Sequence, residues 1–152
     1  MIILLNIFLI VSINNEEKRL IGNVLDNLHY YASVAEGNNY FNLFDEEAIF
    51  FGTDATERWN KKEFEDYALE RFNKGDGWTY KPISRNIYLN SDLNTAWFDE
   101  ELDNKKYGVF RGTGVLAKVN GVWKIKQYNL LLPIPNELLI DYSKEIKEYL
   151  KN

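Results

Sequence analysis

The sequence predicts an α+β domain, and three observations carry that reading. Apolar residues in the first half of the chain recur at three- and four-residue steps, the period of a helix with one buried side. From Trp78 onward the period changes to alternation, the pattern of strands with one buried face. Asn120-Gly121 separates two alternating apolar runs, the strongest short hairpin signal in the chain. Helices therefore lead and strands follow, which argues α+β over an alternating parallel α/β fold.

The elements follow in order. Met1 to Ile13 reads MIILLNIFLIVSI, apolar except for Asn6 and Ser12. It is shorter than the roughly 20 residues a spanning helix needs. It fits the apolar region of a secretory signal peptide, although no A-x-A cleavage site follows. We therefore expect a leader over residues 1–14 and a single domain over 15–152, exported to the periplasm or beyond the cell. Without export the protein is cytoplasmic, and the leader is then a buried first turn or an interfacial anchor. No stable transmembrane span is expected once the leader is removed.

Asn15 to Ala35 predicts a first helix, with Leu20, Ile21, Val24, Leu25, Leu28, Tyr31, Ala32 and Ala35 on one stripe and Gly37 as its stop. Asn38 or Asn39 can cap a short helix over YFNLF, and AIFF follows as a strand. Gly52 to Trp59 reads as a loop. Asn60-Lys-Lys-Glu63 reads as a capping box opening a third helix with Phe64, Tyr67, Ala68 and Phe72 inward. Four strands are expected near 78–90, 95–103, 107–119 and 122–132, with Pro82 at an edge or bulge. Asn136 then caps a terminal helix.

Composition sets limits on function. The formal net charge is -5 and no basic block occurs, so the positive footprint that nucleic acid requires is missing. There is no cysteine, which removes disulfides, thiol nucleophiles and cysteine zinc sites. One histidine excludes any two-histidine metal site. The runs Asp45-Glu46-Glu47 and Asp99-Glu100-Glu101 lack EF-hand spacing, and alternation on a strand splits Glu100 from its neighbours. We expect no metal and no cofactor.

The stretches AIFFGTDATERWNKKEFEDY, TAWFDEEL and RGTGVLAKVNGVWKIKQYNLLLPIPNE, in that order and spacing, resemble the SnoaL-like branch of the nuclear transport factor 2-like superfamily. The resemblance covers roughly residues 16–137. It implies a cone-shaped domain in which a strongly curved antiparallel sheet wraps helices and leaves one deep cavity. It also implies a homodimer formed through the sheet. The superfamily holds isomerases, dehydratases, cyclases, transport factors and domains without a known activity, so the fold alone does not assign one.

Candidate site residues follow from chemistry and position. Asp54, with Glu57, lies in the GTDATERW loop at the edge of the expected cavity. It is either a pocket acid or base, or a turn residue bonding backbone amides. His29 is either a general base or a half-buried histidine with a satisfied hydrogen bond, since no Asp or Ser nearby in sequence activates it. Trp59, Trp78, Tyr80 and Trp97 supply an aromatic wall, or ordinary core. Arg111 can bind a ligand carboxylate, or pair with Asp99 or Glu101 on the neighbouring strand. Counting from the Asn120-Gly121 turn puts Trp123, Ile125, Gln127 and Asn129 on the concave face, and Arg111, Lys126 and Tyr128 on the convex one. Gln127 and Asn129 are therefore pocket candidates, and a single bulge would reverse the placing of Arg111.

Three functions remain open on the sequence. The domain binds a small apolar or amphipathic molecule without catalysis. Or it is a cofactor-free isomerase, dehydratase or cyclase using a pocket carboxylate or His29. Or it is a dimerisation module using the convex sheet. Two ionisable groups in hydrogen-bond reach at the cavity favour the enzyme, and an aromatic cavity with only amides favours the binder.

Overall fold

Val119 pairs with Val122 across Asn120-Gly121, whose positive φ values of 52° and 80° give the tight turn the dipeptide predicts. The computed structural model describes residues 2–151, with side chains from residue 11, and is built outward from this hairpin. Its elements are α1 (Ile2–Ser33), α2 (Gly37–Asn42), β1 (Phe44–Phe51), β2 (Arg58–Asn60), α3 (Lys61–Phe72), β3 (Lys81–Leu89), β4 (Thr95–Asn104), β5 (Gly108–Val119), β6 (Val122–Leu131), a 3-10 turn (Asn136–Leu138) and α4 (Leu139–Tyr149). The six strands form one sheet in the order β2-β1-β6-β5-β4-β3. The sheet is mixed, because β1 runs parallel to β6 while every other pair is antiparallel.

The α1 helix runs without a break through the boundary expected at residue 14. No helix among the described residues is long and apolar enough to cross a membrane. Ile21, Leu25, Leu28 and Ala32 are buried at helical spacing and lie against the sheet. The stop is Ala35, not Gly37: Ala35 takes φ 57°, and the Glu36 amide reaches back to the Tyr31 carbonyl at 2.9 Å, a Schellman closure. Gly37 instead begins α2, which has no side-chain cap, and β1 takes over from Phe44 where helix was expected to continue.

The capping box forms as its spacing predicts. Asn60 accepts from the Glu63 amide at 3.0 Å, and Glu63 accepts from the Asn60 amide at 2.9 Å. Such a cap contributes about 1 kcal/mol. The segment before it is not wholly loop, since Arg58–Asn60 adds an edge strand to β1 and sets Trp59 beside Phe50. Pro82 sits on the edge strand β3, at a register shift against β4.

A second irregularity matters more for the site. Val115 faces Gln127 and Leu116 faces Ile125, so Lys126 is an extra residue in β6. The β1 strand is irregular at the same level, between Phe44 and Ile49. Lys126 closes this double bulge, with its amine 2.7 Å from Asp45 and 3.5 Å from Glu47. The Lys126 hydrogen bond holds the Asp45 carboxyl below its ordinary range, against a smaller push from burial.

The core lies between α1, α2, α3 and the concave sheet face, and it is strongly aromatic. Tyr40, Phe41, Phe44, Phe50, Phe64, Phe72, Phe98 and Tyr128 are all buried. Each contributes about 1.5–3 kcal/mol by leaving water. The α4 helix stands outside this core. Asn136 opens the 3-10 turn instead of capping the helix, and no residue of α4 is buried.

Candidate active site

The cavity opens between the loop after β1, α3, and the ends of β5 and β6, and encloses about 480 Å³. Its wall is built from near-parallel rings. The Phe50 and Phe64 centroids are 3.8 Å apart at 15°, Trp59 and Tyr67 are 4.8 Å apart at 22°, and Trp59 lies 9° from the plane of Phe64. Trp78 and Tyr80, from the segment after α3, meet Tyr107 and Phe110 across the opening, with Tyr80 edge-on to Phe110 at 5.1 Å. Polar groups are interspersed with these rings: Thr53, Glu57, Arg71 and the tyrosines Tyr67, Tyr80 and Tyr107 stand in the wall, and Leu130 and Leu132 complete it.

A narrower hollow of about 20 Å³ adjoins this cavity and shares Phe50, Trp78, Tyr80 and Leu130 with it. Its own lining includes His29 and Tyr128, with Leu28, Ala32 and Tyr40. The space suits about one water molecule.

Behind the hollow lies a buried ionisable network centred on Glu100, whose residue is 1% exposed. Glu100 Oε1 lies 2.8 Å from His29 Nε2 and accepts from the Tyr128 hydroxyl at 2.9 Å. Glu100 Oε2 accepts from Arg85 Nε at 2.8 Å. Arg85 Nη1 donates to Asp26 at 2.7 Å and to the Gly22 carbonyl at 3.3 Å, tying β3 and β4 to α1. Gly112, across from Glu100 on β5, makes room for the cluster: a Cβ there would stand 2.5 Å from the Tyr128 hydroxyl and 2.9 Å from Glu100 Oε1.

Burial pushes the Glu100 carboxyl up, but the His29 hydrogen bond and the charges of His29 and Arg85 outweigh it, so its pKa lies below the ordinary value. Burial, and then the Glu100 charge, push Tyr128 well above the ordinary phenol range. An ionised carboxylate only accepts, so His29 Nε2 carries the hydrogen toward Glu100.

The sequence candidates divide between this site and elsewhere. Trp59, Trp78 and Tyr80 line the cavity, and His29 closes the hollow. His29 is buried and does have an activating neighbour, which no local spacing shows because Glu100 is 71 residues away. Asp54 is exposed and is not part of the cavity wall. Its Oδ1 accepts from the Thr56 hydroxyl at 2.6 Å and the Thr56 amide at 2.8 Å, which lower its pKa, so it acts here as a turn residue. Glu57 does line the cavity. Trp97 points away from the cavity: it is 48% exposed and stacks on Tyr88 at 5.8 Å on the outer sheet face.

Arg111 is exposed on that outer face, opposite Glu101 in register. The Lys126 bulge overturns the expected placing of Gln127 and Asn129. Beyond it the alternation inverts, so Tyr128 is buried and Gln127 is exposed on the convex side. Glu100 is the buried site residue that the sequence did not single out. Strand alternation sets it inward with Ala96, Phe98 and Leu102, and an inward carboxylate among apolar residues is the signal.

The family profile described as a SnoaL-like domain matches residues 21–135. The chain belongs to this family. Among solved structures, this SnoaL-like domain is similar to a protein provisionally named a scytalone dehydratase from Novosphingobium aromaticivorans, at 17% identity and a TM-score of 0.66, over 82% of this chain and 89% of that one. It is similar to a nuclear transport factor 2-like protein of unknown function from Pseudomonas putida, at 10% identity and a TM-score of 0.67, over 82% and 91% of the two chains. A provisional dehydratase of the nuclear transport factor 2-like family from Streptomyces avermitilis gives 7% identity and a TM-score of 0.68, over 80% and 99%. At these identities the likeness establishes the nuclear transport factor 2-like fold alone. A sequence comparison with curated proteins gives no significant match.

Proposed function

We propose that this SnoaL-like domain binds a small, planar, amphipathic molecule in its cavity. The observation that carries the reading is a space of about 480 Å³ with a side of near-parallel aromatic rings and polar groups set beside them. Small-molecule sites fall in the range of about 300–1,000 Å³ and combine aromatic walls with polar groups that orient the ligand. Flat walls select flat ligands, because ring faces gain most contact when stacked with an offset. Trp59 and Trp78 lie in the wall, so their fluorescence reports occupancy. Titration with two-ring aromatic probes should quench it saturably. Linear, non-saturating quenching by the whole probe series would remove the reading.

A second reading, that the bound molecule undergoes proton transfer, is favoured by the buried His29–Glu100 pair at the adjoining hollow. Glu100 orients the ring and fixes its tautomer, which is how a histidine is set up as a base. Two provisional dehydratases share the fold, and dehydration requires such proton transfers. His29→Gln keeps a donor that can reach Glu100 but removes the base. Turnover of a substrate found for the wild type should fall by about 10²–10⁴-fold with binding retained. Wild-type turnover in that variant would exclude His29 as the base and leave the binding reading standing.

A further inference from the structure

Of the residues lining the cavity, Arg71 is the only cation. It stands in the last turn of α3, with its guanidinium carbon 5.7 Å from the centre of the Trp78 ring. Other cations that pack against the fold have carboxylate partners: Lys61 with Glu46, Arg85 with Glu100 and Asp26, Lys118 with Glu17, Lys126 with Asp45. Arg71 has no such partner among the described residues. The one carboxylate in the wall, Glu57, is turned back on its own loop, where its Oε2 accepts from the Asp54 amide at 3.1 Å. A guanidinium over a ring uses its face and keeps its edge, with the forked N–H donors, for another group. That edge matches a carboxylate in bidentate geometry.

The other end of the site has the opposite preference. Glu100 is an ionised carboxylate behind the hollow, and the Tyr128 hydroxyl already donates to it. The deep end thus offers a ligand anion no free cation, since Arg85 is already taken by Glu100 and Asp26, whereas Arg71 is open, so an amphipathic ligand has one favoured direction. Resting on the cavity reading above, we infer that the ligand is a planar aromatic carboxylate, its rings against the Trp59 side and its carboxylate on Arg71.

Calorimetric titration of the full chain with 2-naphthoate and 2-naphthol tests this, since the two probes share rings and differ in charge. Wild type should bind the acid at least about tenfold tighter than the alcohol, the scale of a hydrogen bond to a charged group. Arg71→Gln should lose that advantage while its affinity for the alcohol stays within about twofold. Arg71→Lys should restore only part of it, because an ammonium keeps the charge without the fork. Arg71 is exposed and makes no side-chain hydrogen bond among the described residues, so the variants should fold. Equal affinity for acid and alcohol, or undiminished acid binding in Arg71→Gln, overturns the role of Arg71 while the cavity reading survives through the alcohol. Failure of wild type to bind either probe overturns both.

Discussion

Glu100→Ala should lower folding stability by about 3–5 kcal/mol, the cost of breaking a buried ion pair from one side. The carboxylate is 1% exposed and accepts from three side chains on three elements: His29 on α1, Arg85 on β3 and Tyr128 on β6. Its removal leaves an arginine whose side chain is 13% exposed with only Asp26 and a carbonyl, beside a histidine and a hydroxyl with no acceptor. The intact network contributes less than that loss, since Arg85 Nη2 is itself buried without a partner. Urea unfolding at neutral pH measures the difference. A loss under about 1 kcal/mol would mean that the buried cluster is not formed in solution.

The same residue sets an acid limit. The folded pKa of Glu100 lies below its ordinary value of 4.5, so near and below that pH the unfolded chain binds the proton more readily. Stability from this group is complete above about 4.5 and is lost as pH falls through the lower folded value. Urea midpoints should therefore drop on acidification below that point in the wild type. Glu100→Gln, which has no proton to take up, should show a shallower acid limb.

Local rules were legible in the sequence, and long-range ones were not. Asn60-Lys-Lys-Glu63 and Asn120-Gly121 act through neighbours a few residues apart, and both form as their spacing predicts. Alternation along β4 was also readable: it sends Trp97 outward and Glu100 inward. Giving Trp97 to the cavity weighted its aromatic character above its position. The inverse applies to Glu100, whose charge hid an inward position. Gln127, Asn129 and Tyr128 are a different case. Their faces depend on one extra residue, Lys126, held by Asp45 and Glu47 about 80 positions earlier in the chain. A bulge stabilised by a distant strand leaves no mark in the local period. The His29–Glu100 pair is likewise a product of packing, since it needs both α1 and the curved sheet in place.

Phe64→Ala should be nearly as costly as the loss of Glu100, through packing in place of charge. Phe64 is 2% exposed and is the ring on which the aromatic cluster converges. It stacks on Phe50 at 3.8 Å and meets Phe41 at 5.4 Å, Trp59 at 5.8 Å and Tyr40 at 6.0 Å. Truncating a buried phenylalanine costs about 3–5 kcal/mol, partly as lost transfer energy and partly as the cavity left behind. Domains of this kind hold about 5–15 kcal/mol in total, so the variant should remain folded at low temperature with a strongly reduced urea midpoint. Because Phe64 also lines the cavity, the vacated space opens into it. Affinity for 2-naphthol should therefore fall with stability, while a wider fused-ring probe should lose less or gain. Phe64→Leu refills most of the volume without a flat face, so it should recover stability more fully than naphthol binding. Equal recovery of both would show that Phe64 supports the fold without shaping the slot.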